Sequence, residues 1–199
     1  MELMTDTELV ERSRQGDLQA FNHLVSRWEE PIFRFLRRHL GDREEARDLC
    51  QETLVKAYVH LGTLRDTGRF KTWLYQIAWN QCVSRVRRRR SRGEISAAPE
   101  TLEAIALREV PPATARLDEI LAARGRQGAL RAALQALPEE QRTAILLREY
   151  EGLTSEEIGE IAGVSAATVR TRIYYGLRAM RRALRRQGLL EPGLGSETE

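Results

Sequence analysis

Residues 154–184 contain two runs of apolar residues at helical spacing, and the break between them restricts how the chain can fold. Ile158 and Ile161 share one face of a first helix. A second helix continues the pattern with Val169, Ile173, Leu177, Met180 and Leu184. Gly163 stands between the two runs, where a left-handed turn costs little. The spacing therefore predicts two helices joined by a tight turn, each burying one apolar face.

Polar residues that typically begin helices support this division. Thr154 and Glu157 have the spacing of a capping box, and Ser165 can cap the second helix. Away from its apolar face, the second helix has the arginines, threonines and tyrosines of a helix-turn-helix recognition helix. An ordinary helical hairpin with a solvated basic face is the alternative, and the motif favours DNA binding over it. The candidate DNA-binding residues are Ser165, Thr168, Arg170, Thr171, Arg172, Tyr174 and Arg178.

Charge is balanced over the whole chain but concentrated locally. The 199 residues include 32 lysines and arginines and 29 aspartates and glutamates, which gives a formal net charge of +3. Basic residues nevertheless cluster in residues 85–92 and in residues 178–186. Such clusters can bind nucleic acid phosphates even when the net charge is small.

The residues with reactive or metal-binding side chains form no recognisable site. Cys50 and Cys82 lie among apolar neighbours, without a CxxC pair or a Cys/His ligand spacing, so we expect two reduced core thiols. The three histidines are scattered, which disfavours an enzyme and predicts neither a metal nor a cofactor. No apolar run reaches the roughly 20 residues that cross a bilayer. The N-terminus does not resemble a secretory signal, so a cytoplasmic protein is expected.

Apolar residues recur every three or four positions through most of the chain, which predicts an all-α protein. We expect a first helical domain over residues 1–90. Residues 91–126 contain several prolines and no sustained periodicity, which is typical of a flexible linker. A second helical domain with the helix-turn-helix is expected over residues 127–188. Residues 189–199 are expected to form a disordered tail.

Two long apolar faces are expected to form the core of the first domain. One belongs to a helix that Pro31 should bend, and the other to a helix capped by Asp42 and Glu45. The first face comprises Leu18, Phe21, Leu24, Val25, Trp28, Ile32, Phe35 and Leu36. The second comprises Ala46, Leu49, Cys50, Leu54, Ala57, Tyr58 and Leu61.

The stretch FKTWLYQIAWN, residues 70–80, places four aromatic residues just before a run of arginines. Aromatic faces beside guanidinium groups form the platforms on which proteins bind single-stranded nucleic acid. We expect that Phe70, Trp73, Tyr75 and Trp79 cannot all be buried in so small a domain. Packing is the alternative, since an aromatic stripe at helical spacing more often belongs to a core. Asn80 adds an amide whose donor and acceptor edge suits a base.

Four motifs occur in order along the chain, and together they resemble the extracytoplasmic-function (ECF) sigma factors of bacterial RNA polymerase. They are GDLQAFNHLV, ARDLCQETLVKAY, FKTWLYQIAWN and ALPEEQRTAILLREYEGLTSEEIGEIAGVSAATVRTRI. The resemblance covers residues 6–90 and 130–186, and it implies a region 2 domain followed by a region 4 domain. Ser84, Tyr175 and Gly176 depart from the common pattern of the family, which leaves the promoter sequence open.

The resemblance implies a factor that binds core RNA polymerase, recognises the −10 and −35 promoter elements and helps to melt the promoter. It assigns polymerase binding to Asp48, Gln51, Glu52 and Lys56. It assigns binding and melting of the −10 element to Arg65, Asp66, Lys71, Trp73, Tyr75, Asn80, Arg85, Arg87 and Arg88. The helix-turn-helix would then bind the −35 element as duplex DNA.

A regulatory partner is a further implication of the resemblance. Members of the family are usually held inactive by an anti-sigma factor that clasps the two domains, and a flexible linker would permit this. The alternative function is a stand-alone regulator that binds duplex DNA through the helix-turn-helix, without polymerase.

Overall fold

The computed structural model describes residues 4–91 and 127–190, and every element within those ranges is helical. The first domain consists of α1 (Asp6–Arg14), α2 (Leu18–Leu40), α3 (Arg43–His60) and α4 (Phe70–Ser91). Two 3-10 turns, Leu61–Thr63 and Thr67–Arg69, connect α3 to α4. The second domain consists of α5 (Gln127–Gln135), α6 (Glu139–Glu149), α7 (Ser155–Ala162) and α8 (Ala166–Arg186). The all-α prediction is confirmed for these residues.

Two of the expected segments fall mainly outside the described residues. The expected linker, residues 91–126, is described only at Ser91, the last residue of α4. The expected tail, residues 189–199, is described only at Leu189 and Leu190. Both assignments therefore stay predictions.

The junction between α2 and α3 follows the local sequence closely. Gly41 ends α2 in a left-handed conformation with a φ of 82°, which glycine adopts without strain. Asp42 then caps α3 by accepting a hydrogen bond from the Glu45 N–H at 2.8 Å. The expected capping box is only half formed, because the Glu45 carboxylate contacts Arg85 instead. α2 itself continues as one helix through Pro31.

The apolar faces of α1 to α4 meet in one core, but two expected core residues lie outside it. Leu18 and Tyr58 are 56% and 52% exposed, so their predicted burial is wrong. Successive helical positions are rotated by about 100°. Because Ala57 faces the core, the next residue, Tyr58, lies off the buried side of α3. Its ring packs edge-on against Phe21, with the ring centroids 4.9 Å apart. Leu18 lies two positions before the buried Ala20 and faces the opposite side.

The second domain buries every apolar residue that the helix-turn-helix pattern predicted. These are Ile158, Ile161, Val169, Ile173, Leu177, Met180 and Leu184. Gly163 ends α7 with a φ of 68°, and Ser165 caps α8 by accepting from the Thr168 N–H at 3.1 Å. The capping box of Thr154 and Glu157 is complete. The helix-turn-helix prediction is therefore confirmed in detail.

The two domains are in direct contact, with α2 against α5 and α6, and α4 against α7. His39 lies at the centre of the first contact, where its Nε2 is 2.8 Å from the Thr143 hydroxyl. The Arg142 guanidinium donates to the His39 carbonyl oxygen at 2.7 Å. The guanidinium of Arg38 stacks over the Tyr150 ring, 3.9 Å from its centroid. This arrangement brings the proposed −10-binding helix beside the helix-turn-helix.

Candidate nucleic-acid and polymerase interfaces

The recognition helix α8 has one exposed side that combines arginine, threonine and tyrosine. Arg170, Tyr174 and Arg178 recur every four residues, and helical rotation places Thr171 beside Arg178, about 20° away around the helix. We call these four residues the recognition face. Arg170 and Arg178 are exposed, whereas Thr171 and Tyr174 are partly buried. Arg170 also lies 3.8 Å from the Glu156 carboxylate, a loose and exposed pair that DNA could displace.

The other predicted residues of the helix-turn-helix lie outside the recognition face. Arg172 is rotated by about 200° from Arg170, so the two guanidinium groups do not share a side of α8. Ser165 and Thr168 lie at the start of α8, where their hydroxyls are 2.9 Å apart. Both hydroxyls are exposed, and Ser165 is at the same time the structural cap of the helix.

The basic side of α8 continues beyond the residues that the motif indicated. Arg181, Arg182 and Arg185 are exposed and follow Arg178 at spacings of three, four and seven. Helical rotation therefore places them on the side of the recognition face. Motif reasoning missed them as site residues, although the basic run of residues 178–186 was visible in the sequence.

Close backbone packing fixes the recognition helix relative to α7. A Cβ atom added at Gly159 would lie 2.6 Å from the Val164 carbonyl oxygen, closer than real side chains approach. A Cβ atom at Gly176 would lie 2.6 Å from the Ile145 Cδ1, so the backbone of α8 packs directly against a side chain of α6. Glycine at these two positions lets three helices meet in a single, close-packed arrangement.

Most of the aromatic residues of α4 belong to the core rather than to a stacking platform. Phe70, Tyr75 and Trp79 are buried, and only Trp73 is partly exposed. The Tyr75 ring packs edge-on against Phe35 at 5.4 Å, and against Trp28 on α2 as well. The packing alternative therefore holds for Phe70, Tyr75 and Trp79, because the small core gains most by enclosing its largest rings. The partly exposed Trp73 agrees with the expectation that not all four rings are buried.

Tyr75 and Lys71 both reach the second domain. The Tyr75 hydroxyl donates a hydrogen bond to the Glu151 carboxylate. Burial, together with the Glu151 charge, raises the pKa of Tyr75. The Lys71 ammonium donates to the Glu151 carbonyl oxygen at 2.6 Å. Neither group is free to contact DNA in this arrangement.

Three other residues predicted to bind the −10 element are exposed, two in the loop before α4 and one midway along the helix. Arg65 and Asp66 lie in the loop before α4, where the Asp66 carboxylate accepts from the Gly68 N–H at 3.0 Å and fixes the second 3-10 turn. Asn80 is exposed on α4 itself. With Trp73, these residues form what we call the α4 face.

The arginines at the end of α4 differ in their contacts and in their exposure. Arg85 donates to the Glu45 carboxylate at 2.9 Å and lies 4.0 Å from Glu52, so carboxylates of α3 hold its guanidinium in this arrangement. Its assignment to a DNA phosphate stays a prediction. Its neighbours on α3 supply carboxylates at the distance that a guanidinium prefers. Arg88 is exposed. The side chain of Arg87 lies outside the described part of the chain.

The predicted polymerase-binding residues border an exposed apolar surface on α3. Asp48, Gln51 and Glu52 are exposed, and so is Lys56, whose ammonium donates to Gln81 at 2.7 Å. Val55 and Val59 lie between these side chains and are 63% and 67% exposed. We call the surface of Asp48, Gln51, Glu52, Val55 and Val59 the α3 face. Both valines fall outside the core stripe of α3, a signal that the sequence analysis missed.

The reactive and metal-binding side chains of the described residues were also compared with the requirements of a catalytic site. Burial raises the pKa of Cys50 to about 12 and also raises the pKa of Cys82, so neither thiol is an activated nucleophile. Among residues 4–91 and 127–190, no group of three His, Cys, Asp or Glu side chains could hold a metal ion. Within the same ranges, no helix has the length and apolar character needed to span a bilayer.

Two family models match the chain in the order of its two domains. The Sigma-70 region 2 model matches residues 24–92, and the Sigma-70 region 4 model matches residues 127–180. The first match includes the α3 and α4 faces, and the second includes the recognition face. Arg181, Arg182 and Arg185 follow the end of the second match.

Relatives and solved structures agree with both matches. The chain is 38% identical to the RNA polymerase sigma-H factor of Pseudomonas aeruginosa over 90% of this chain and 93% of that one. It is 31% identical to the ECF sigma factor SigW of Bacillus subtilis over 93% and 99%. In fold it is similar to CnrH solved with the cytosolic domain of CnrY (TM-score 0.65, 21% identity, 91% and 97% covered). It is also similar to the sigma factor RpoE of Bartonella quintana solved with the anti-sigma factor NepR (TM-score 0.63, 23% identity, 83% and 96% covered). The matches to regions 2 and 4, together with these relatives, show that the chain belongs to the ECF sigma factors, which bind core RNA polymerase and promoter DNA.

Proposed function

We propose that the protein directs RNA polymerase to promoters through three separate surfaces. The α3 face binds core polymerase, the α4 face binds the −10 element, and the recognition face binds the −35 element. The recognition face is the observation on which the proposal chiefly depends. It combines exposed arginines with a helix whose position is fixed by glycine contacts to α6 and α7.

The recognition face has the chemistry needed to distinguish bases in a major groove. An arginine can donate two hydrogen bonds to one guanine, and a tyrosine or threonine can contact the thymine methyl group or a phosphate. Arg170 is nearest the start of α8, the part of a recognition helix that normally enters the groove. We therefore assign base recognition chiefly to Arg170, with Thr171 and Tyr174 beside it.

The α4 face has groups that can bind an opened strand. Trp73 offers one partly exposed ring for stacking, and Asn80 offers an amide edge for a base. Arg65 and Arg88 are exposed cations at its two ends. Tyr75 has a different role in this proposal: its buried ring supports the helix from which the other groups project.

The α3 face has the composition of a protein-binding surface. Interfaces commonly have an apolar centre and a polar rim. Val55 and Val59 would form the centre, and Asp48, Gln51 and Glu52 the rim. We assign core polymerase to this face because its polar residues are those to which the family resemblance gives polymerase binding, and the region 2 match includes them.

Transcription in vitro tests the proposed function directly. Core polymerase, with and without the purified chain, is given genomic promoter fragments, and start sites are mapped. We expect initiation from defined sites only when the chain is present. Tight binding of the isolated chain to duplex DNA, with no association with core polymerase at low salt, would favour the stand-alone regulator instead.

Replacement of Arg170 with alanine should relax recognition of one base pair in the −35 element. Loss of a bidentate contact to guanine is worth roughly 1–3 kcal/mol, or about 5- to 150-fold in discrimination. The measurement is holoenzyme binding to promoters that differ at single positions of that element. Arg172→Ala is the matched control, because Arg172 projects from another side of α8, and it should preserve the preference. An equal loss on every sequence would contradict the assignment of Arg170.

Alanine at Arg181, Arg182 and Arg185 should weaken promoter binding without changing sequence preference. These exposed cations extend the recognition face by about two turns, so we expect them to contact phosphates beside the −35 element. Each lost phosphate contact should lower the slope of log affinity against log salt by about 1. Binding at several salt concentrations measures that slope. An unchanged slope, or a changed base preference, would contradict phosphate contacts.

We also propose that an anti-sigma factor controls the protein. RpoE of B. quintana, which shares its fold, was solved with the anti-sigma factor NepR. The exposed valines of the α3 face offer such a protein a surface shared with polymerase. The expected partner competes with core polymerase for the purified chain. Full activity in cells under all conditions, with no competing partner, would contradict this proposal.

A further inference from the structure

We propose that α1 positions the loop between α3 and α4 for recognition of the −10 element, with Arg14 and Asp6 as its positioning residues. This loop consists of residues 61–69, and we call it the α3–α4 loop. It presents Arg65 and Asp66, two of the exposed residues of the α4 face. The inference therefore rests on the proposed function of that face. α1 ends at Arg14, before the region 2 match begins at residue 24, so the match gives α1 no role.

The α3–α4 loop lies against α1 as well as against the two helices that it joins. α1 packs against both 3-10 turns of the loop. Leu9 and Val10 of α1 are buried, and so are Leu61 and Leu64 of the loop. The two residues that follow Leu64 are exposed. The buried leucines thus hold the first half of the loop against the domain, and its −10-binding side chains project directly after them.

A hydrogen bond joins the end of α1 to the start of the α3–α4 loop. The Arg14 Nε donates to the Leu61 carbonyl oxygen at 3.2 Å. The same oxygen accepts a hydrogen bond from the Leu64 N–H at 3.3 Å, which closes the first 3-10 turn. One carbonyl oxygen therefore connects α1 to the turn that immediately precedes Arg65. A charged donor such as a guanidinium makes the stronger kind of hydrogen bond.

The start of α1 supports the other end of the loop through an aromatic ring. The Asp6 carboxylate accepts a hydrogen bond from the Trp28 Nε1 at 3.1 Å and another from the Arg27 guanidinium. The Trp28 ring packs edge-on against Phe70, with the ring centroids 6.2 Å apart. Phe70 directly follows the second 3-10 turn and is the first residue of α4. Asp6 thus orients the ring against which the loop ends.

Both ends of α1 are themselves fixed, so the helix can act as a rigid support. Thr5 and Glu8 form a complete capping box at its start. At its end, the Arg12 guanidinium donates to the Asp17 carboxylate at 2.9 Å. The same carboxylate group caps α2 by accepting from the Ala20 N–H at 3.1 Å. A displacement of α1 would break these contacts as well as those with the loop.

The internal hydrogen bonds of the α3–α4 loop do not replace the contacts with α1. The Asp66 carboxylate accepts from the Gly68 N–H, and the Asp66 carbonyl oxygen accepts from the Arg69 N–H, each at 3.0 Å. These bonds shape the second turn, but they do not attach it to the rest of the domain. Short 3-10 turns have poorer hydrogen-bond geometry than α-helices. Because recognition requires side chains held to within about 0.5 Å, the external contacts should determine how well Arg65 and Asp66 distinguish bases.

The first measurement is holoenzyme binding to promoters found by the transcription assay, with single base changes in the −10 element. In the variant Arg14→Ala, discrimination at one or more −10 positions should fall roughly fivefold, as the net loss of one hydrogen bond implies. Discrimination in the −35 element should not change. Arg14→Lys should retain most of the preference, because an ammonium can donate to the same carbonyl oxygen. Arg34→Ala is the matched control: it removes the same charge from α2, where the guanidinium pairs loosely with Glu30 at 3.8 Å.

The second measurement is amide hydrogen exchange of the isolated full-length chain, which needs neither promoter nor polymerase. Arg14→Ala should accelerate exchange of the Leu64 amide roughly fivefold, because the bond of Arg14 with the first turn is lost. Asp6→Ala should accelerate exchange of the Gly68 amide, in the turn next to Phe70. The amide of Ala78, buried in the middle of α4, should exchange as in the unmodified chain.

The outcomes separate the inference from the proposed function. Equal acceleration at Ala78, or an equal loss of discrimination in Arg34→Ala, would indicate a general effect on the domain and overturn the inference. Unchanged loop exchange would overturn it too. If the unmodified chain initiates at promoters and Arg14→Ala keeps its full −10 discrimination, only the inference fails. If the unmodified chain does not initiate with core polymerase, the proposed function fails, whatever the exchange of the loop shows.

Discussion

Glutamate at both Val55 and Val59 should abolish association with core polymerase while leaving the fold intact. Both side chains are largely exposed in the free protein, so the substitutions disturb no core contact. In a docked complex they would become buried, and an unpaired buried carboxylate costs several kcal/mol. We expect affinity for core polymerase to fall by at least about 100-fold, as a loss of roughly 3 kcal/mol implies. Co-purification and fluorescence titration with labelled chain measure this loss.

The control for this experiment is His23→Glu, which adds a carboxylate at an exposed position of α2, outside the α3 face. It should bind core polymerase as the unmodified chain does. Equal loss in both variants would indicate a general effect of charge. Unchanged affinity in the Val55 and Val59 variant would remove the α3 face from the polymerase interface.

Alanine at Gly159 should destabilise the second domain by about 2 kcal/mol, within the range for overpacking. The new methyl group would meet the Val164 carbonyl oxygen at 2.6 Å. That oxygen belongs to the backbone of the helix-turn-helix turn, so relief requires α7 and the turn to separate. The gain in helix propensity of about 1 kcal/mol offsets only part of this cost. Urea denaturation gives the change in free energy of unfolding.

Two other helical glycines provide graded controls for Gly159. A Cβ atom at Gly128 on α5 meets nothing within 4 Å, so Gly128→Ala should be neutral or slightly stabilising. At Gly176 the Cβ atom meets the end of the flexible Ile145 side chain, which can turn aside. Gly176→Ala should therefore fall between the other two. Equal effects at all three positions would show that helix propensity, rather than packing, determines the result.

Promoter binding by the Gly159→Ala variant should also weaken, beyond what unfolding explains. Separation of α7 from the turn would tilt α8, so Arg170 would no longer reach its base with the same geometry. Binding is therefore measured below the midpoint of unfolding, where the domain is still folded.

The helix-turn-helix was predictable because its signals are local. Thr154, Glu157, Gly163 and Ser165 each specify a helix end within three or four residues, and the apolar stripe specifies the buried side. The structure has every one of these features in the expected place. No knowledge of distant residues was needed to predict them.

The first domain was less predictable because periodicity describes one helix at a time. It indicates which residues share a side of α3 or α4, but not how widely neighbouring helices cover that side. Tyr58 lies at the edge of the α3 stripe and remains outside, while Tyr75 is enclosed by rings from α2. Contacts such as that of Lys71 with Glu151 join residues 80 positions apart, and nothing in either local sequence indicates the other.

The burial of both cysteines limits how this protein can respond to oxidants. Oxidants react with thiolates, and at a pKa of about 12 almost none of Cys50 is ionised near neutral pH. Cys82 is enclosed still more completely. We therefore expect neither thiol to react readily with peroxide or by disulfide exchange while the chain is folded. A gene-expression response to oxidative stress through this factor would require another molecule to detect the stress and then to release the factor.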